Sequence, residues 1–126
     1  MRTCALAMVA VLVFFVSGPV RADDPASLEV RVEWRAPTTG SLVVLWELQI
    51  RVKQGPPVTF DPILIPVDEN DPTEGAPHGS LQQFTLPAGL LSRNVLYEGR
   101  IRGFDLQGRA GPWTPWTEAF FSTPEP

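Results

Sequence analysis

Alternation of apolar and polar residues is the strongest signal in this chain. Val30, Val32 and Trp34 are interleaved with Glu29, Arg31, Glu33 and Arg35, and Trp46, Leu48, Ile50 and Val52 with Glu47, Gln49, Arg51 and Lys53. Tyr97, Gly99 and Ile101 alternate in the same way with Glu98, Arg100 and Arg102. Successive side chains of a strand point to opposite faces, so a period of two marks a strand with one face in a core and one in water. Phe84 and Leu86, ahead of Pro87, predict a further strand around Leu81 to Leu86, and Glu118 to Ser122 predicts a closing one. Beyond the N-terminal segment no stretch shows a convincing period of 3.6. The expected class is all-β.

Turn chemistry falls between these runs: Pro37-Thr38-Thr39-Gly40, Gly55-Pro56-Pro57, Pro87-Ala88-Gly89, and Gln107 to Pro112 with glycines at 108 and 111. The 14 prolines among 126 residues exclude long helices and keep strands short. Short antiparallel strands in this number pack best as two sheets face to face, an antiparallel β-sandwich of about seven strands.

The N-terminus has a different pattern. Arg2 is followed by an almost unbroken apolar run from Ala5 to Val16, then by Ser17-Gly18-Pro19 and Val20-Arg21-Ala22. A positive start, an apolar centre and small residues at the two positions a signal peptidase reads predict a secretory leader cut after Ala22. Residues 1–22 are therefore expected to stand outside the fold. A membrane anchor is the competing reading, but a bilayer core asks for roughly 20 apolar residues and this run is shorter. Cys4 precedes the apolar run instead of following it, which argues against lipidation there. Cleavage would leave residues 23–126, 104 in all, as a single domain long enough to bury a core. Cys4 is the only cysteine, so a secreted or periplasmic domain would use no disulfide and would rely on packing.

Charge narrows the partners. The whole chain carries a net charge of −4. Loss of Arg2 and Arg21 with the leader leaves eight basic against fourteen acidic residues, a net charge of −6 with Lys53 as the one lysine. Nucleic acid and anionic lipid both need a basic footprint, so neither is an expected partner.

Taken in order, these residues resemble a fibronectin type III domain, the seven-stranded immunoglobulin-like sandwich. Val32-Glu33-Trp34-Arg35-Ala36-Pro37 is similar to the second strand of that family, with its core tryptophan and following proline, and Trp46 to Val52 to the third. Leu86-Pro87 followed by Tyr97 resembles the family's leucine–proline turn and corner tyrosine, whose phenol bonds a nearby backbone group while the ring fills the core. Arg100-Ile101-Arg102 with Gly108, Gly111 and Pro112 resembles the sixth strand and the turn after it. Gly111 to Glu118 is also similar to the Trp-Ser-any-Trp-Ser box of class I cytokine receptors, with Thr114 and Thr117 in place of the serines. The resemblance covers roughly residues 28 to 124. Its first strand is short or missing before Leu28, and the connection from Lys53 to Leu81 is longer than the family's. What it implies is an architecture; this sandwich hosts many unrelated roles.

Two indoles three apart, Trp113 and Trp116, downstream of Arg100 and Arg102, admit two readings. Exposed, they would be a stacking platform for a sugar or a protein. Covered by the guanidinium groups, they would form a cation–π ladder on one sheet face, with contacts of ~0.5–1 kcal/mol each when exposed and ~2 when desolvated. The ladder is the favoured reading. Trp34, Trp46 and Tyr97 lie on apolar strand faces and are assigned to the core.

The acids Asp61, Asp68, Glu69, Asp71 and Glu74 raise calcium as a ligand, but the loop lacks the glycine and terminal glutamate of a hand-type site, and a solvated acidic loop is preferred. Phe60, Ile63, Leu64, Ile65 and Val67, bounded by Pro62 and Pro66, predict an edge strand able to recruit a partner. His78 is the only histidine, with no cysteine in the processed chain to share a zinc ion and no spacing that suggests a nucleophile elbow with Ser80 or Ser92. The expectation is a binding module with no catalytic residue, no metal site and no cofactor. A protein is the expected partner, through end loops or a sheet edge, and carbohydrate bound by Trp113, Trp116 or Trp46 is the alternative.

Overall fold

In the computed structural model, which describes residues 12–16 and 28–122, the apolar positions of the three alternating runs all turn inward. Seven strands follow in chain order: β1 (Val13–Val16), β2 (Val30–Arg35), β3 (Val43–Gln54), β4 (Ile63–Pro66), β5 (Leu81–Thr85), β6 (Leu96–Asp105) and β7 (Thr117–Phe120). There is no helix among the described residues. One sheet has the order β1-β2-β5 and the other β4-β3-β6-β7, with every neighbouring pair antiparallel. Two such sheets, each apolar on one face, bury those faces against each other as a sandwich.

Trp34 of β2 and Trp46 of β3 meet at the centre, edge to face, with ring centroids 5.5 Å apart at 75°. Around them lie Val30, Val32, Leu48, Ile50, Tyr97 and Ile101, so both tryptophans and Tyr97 occupy the core positions expected of them. The indole nitrogens of Trp34 and Trp46 are buried without a hydrogen-bond partner. The Tyr97 phenol oxygen accepts a bond from the Ser92 backbone N–H at 2.8 Å, while Phe60 packs edge-on against the ring. The long connection after β3 contains β4, the expected edge strand. It then crosses to the other sheet, tied down by Val67 N–H to Val44 O, Ala76 N–H to Val43 O and Ala36 N–H to Ser80 O.

The structure departs from expectation at the N-terminus. Val13–Val16 does not stand outside the fold; it pairs antiparallel with β2, Phe14 opposite Val32 and Val16 opposite Val30. The strand alternates as an edge strand does, with Leu12 fully buried, Val13 outward and Phe14 packed on the core. The smaller sheet thus takes its third strand from upstream of Leu28. The physical reason is that an apolar run rich in β-branched and aromatic residues satisfies the requirements of a leader and of a buried strand equally well.

Candidate functional site

The outer face of the four-stranded sheet is where the sequence-derived site residues converge. Antiparallel register places Glu47 opposite Arg102, Gln49 opposite Arg100 and Arg51 opposite Glu98. Each pair is hydrogen-bonded: Arg102 Nε to Glu47 at 2.8 Å, Arg100 Nε to Gln49 at 2.8 Å and Arg51 Nε to Glu98 at 2.6 Å. Lys53 continues the row to Glu118 of β7, and this bond holds the lysine above its ordinary pKa. These bonds fix the guanidinium groups in a row above the sheet.

The segment after β6 then lays its two indoles among them. Thr114 fixes it: its backbone N–H donates to Ile101 O at 2.9 Å, and its buried hydroxyl accepts from Ile101 N–H at 3.0 Å. Gly111 N–H adds a bond to Gly103 O. Trp113 comes to rest with Arg100 and Arg102 at 4.3 and 4.4 Å from its ring centre. Those two arginines are alternate residues of one strand, with Cα atoms roughly 7 Å apart on the same face, so the indole stands between them. Trp116 stands likewise between Arg100 at 4.4 Å and Arg51 at 3.8 Å, and Arg102 also covers Phe104 at 5.1 Å. The result is a continuous stack of Phe104, Arg102, Trp113, Arg100, Trp116 and Arg51.

Trp113, Trp116, Arg100 and Arg102 are therefore brought together as the ladder reading expected, and apart from Trp34, Trp46 and Tyr97 in the core. Sequence reasoning missed Arg51, the outermost guanidinium, and the acceptors Glu47, Gln49 and Glu98 beneath. The signal was present: running β3 against β6 in reverse matches every outward acid or amide with an arginine. It also missed Thr114, whose hydroxyl replaces a strand partner for β6.

The remaining candidates have local tasks. Asp68 accepts from Asn70 N–H, and Asp71 from both the N–H and the hydroxyl of Thr73, which holds the Asp71 carboxyl below its ordinary pKa. These are turn bonds within the acidic loop, and among the described residues no group of three or more His, Cys, Asp or Glu is arranged to hold a metal ion. His78 donates from Nε2 to Gly40 O at 2.9 Å, which ties two loops together. Asp105, with 3% of its side chain exposed, closes the β6–β7 turn by accepting from the backbone N–H groups of Gln107 and Arg109 and from Arg109 Nε. Gly108 supplies the positive φ of +81° that this turn requires. Burial alone would raise the Asp105 carboxyl, but the bonds from Arg109 and Gln107 outweigh it and hold the group below its usual range.

On the side where β4 and β5 form the open edges of their sheets, an apolar cleft of about 380 Å³ lies between the layers. Thr59, Phe60, Asp61, Ile63, Phe84, Pro87 and Leu90 line it. No helix among the described residues is long and apolar enough to cross a membrane. No family model matches this chain, and no curated protein is similar to it.

Proposed function

We propose that this chain is the precursor of an exported, non-catalytic binding protein, a fibronectin type III-like sandwich cut after Ala22 to residues 23–126, that recognises a protein partner. The observation that carries the reading is the cleft between β4 and β5. Its lining is apolar apart from Thr59 and Asp61, and it opens between two strand edges that have no further neighbouring strand among the described residues. An apolar hollow between two sheet edges suits a peptide chain with a large apolar side chain as anchor. The sheet order, the Trp34 and Trp46 centre and the Tyr97 bond to Ser92 support the family part of the proposal.

Sugar stacking on Trp113 or Trp116 would first have to displace guanidinium groups lying 3.8 to 4.4 Å from the ring centres. The ladder stiffens the sheet, and recognition falls to the cleft. A photo-reactive residue at Thr59 on the cleft rim is expected to capture a defined partner. One at Leu106, which is 58% exposed on the β6–β7 turn, is expected to capture none. Equal capture at both positions, or none at either, counts against the proposal.

A further inference from the structure

β1 fills a slot of defined shape at the edge of the smaller sheet. β1 occupies the free edge of β2, and its inward side chains enter the space between the sheets on the side opposite the cleft. Leu12 is wholly buried, and Phe14 reaches across to the facing sheet, where its ring lies over Gly99 of β6. A Cβ at position 99 would collide with that ring, so the missing side chain is the floor of a notch shaped for an aromatic group. The slot therefore has backbone pairing positions opposite Val30 to Glu33, a pocket for Leu12 and a notch over Gly99 for Phe14.

If the chain is cut after Ala22, as the proposed function holds, this strand leaves with the leader. Within residues 23–126 no segment is suited to replace it. Leu28 is already fixed, buried and accepting a bond from Gly89 N–H, so only Asp23 to Ser27 remain to turn back along β2. A tight turn uses two residues, which leaves Asp23, Asp24 and Pro25. None is large and apolar, and proline lacks the N–H that pairing needs. Residues 23–126 of a second copy offer no better strand, because their apolar runs are committed to the core and Thr123-Pro124-Glu125-Pro126 is polar and proline-broken.

We infer that the processed protein takes an extended segment of a different polypeptide into this slot, antiparallel to β2, with large apolar residues two apart at the Leu12 and Phe14 positions. Addition of a strand satisfies the β2 edge through main-chain bonds, and the two pockets confer selectivity. The inference rests on the export reading, and the two fail separately.

The test uses the full chain with a site-specific protease sequence inserted between Ala22 and Asp23. The folded protein is cut, freed of its first 22 residues, and offered a labelled peptide of residues 10–18 with a lysine tail for solubility. The paired probe is the same peptide with Leu12→Asp and Phe14→Asp. The cut chain is expected to bind the native peptide at least about tenfold more tightly than the substituted one, and the uncut chain to bind neither. Gly99→Val in the cut chain is expected to weaken binding by a similar factor. Should the cut chain lose its strand signal in circular dichroism, recovery on adding the native peptide alone supports the inference, and failure to recover overturns it. Equal binding of both peptides overturns it, as does closure of the slot by a dimer of the cut chain. N-terminal sequencing of the exported protein is the separate arm: a start at Asp23 upholds the export reading. An N-terminus retaining residues 12–16 overturns it and removes the vacancy, whatever the peptide does.

Discussion

Trp34 shows how much of this fold hangs on single side chains. It is buried against Trp46 with its indole N–H unpartnered, so its contribution is packing alone. Truncation of a large buried aromatic costs about 3–5 kcal/mol, a large share of the stability of a small domain. Trp34→Ala is therefore expected to be largely unfolded or to shift the urea midpoint by that amount, and a near-native midpoint would remove the residue from the core. Asp105 is a polar counterpart. Its folded carboxyl titrates below the ordinary value of 3.8, so the stability it adds is present above that value and is lost as pH falls through the folded pKa. Denaturation followed from pH 6 to about pH 2.5 should show wild type losing its advantage over Asp105→Asn below about pH 4. A gap between the two that stays constant over the whole range would mean that the carboxylate charge does not hold the turn.

At the scale of elements, the ladder joins three segments that are distant in sequence: β3, β6 and the stretch carrying Trp113 and Trp116. Arg100 is its middle rung, between both indoles and bonded to Gln49. A planar guanidinium can stack on two rings at once, and an ammonium cannot. Arg100→Lys is thus expected to cost about 1–2 kcal/mol although the charge is kept. Denaturation at low and high salt checks this, and a lysine variant as stable as wild type would assign the ladder to charge alone. Much of this element was readable beforehand. The outward residues of β3 and β6 alternate strictly, and Trp113 and Trp116 lie where a segment returning along β6 would cross them. Arg51 escaped notice because its indole partner lies 65 positions away and only register brings them together. The pairing of β1 in the full chain went unforeseen for a different reason. Its composition fits a leader and a strand alike, and the features it pairs with, the edge of β2 and the notch at Gly99, exist only once the sheets are stacked.

For the whole molecule, stability is distributed unevenly across the sandwich. β3 and β6 pair along nearly their full lengths, Val43–Gln54 against Leu96–Asp105, and they are the inner strands of the larger sheet. β4 pairs only through Ile63 to Pro66 and lies beside the cleft, with Leu64 exposed. Amides in the centre can exchange only when the fold opens as a whole, whereas a short edge strand over a hollow can open alone. Hydrogen exchange is therefore expected to be slowest at Gln49, Arg100 and Arg102, whose backbone groups join β3 to β6, with rates that follow global stability through added denaturant. The β4 amides that face β3 are expected to exchange far faster, with rates nearly independent of denaturant. Such a gradient leaves the cleft side free to adjust to a partner while the ladder and the tryptophan centre stay rigid. Exchange of β4 at the same rate as the centre would instead make the sandwich one cooperative block. Recognition at the cleft would then have to proceed with a preformed surface.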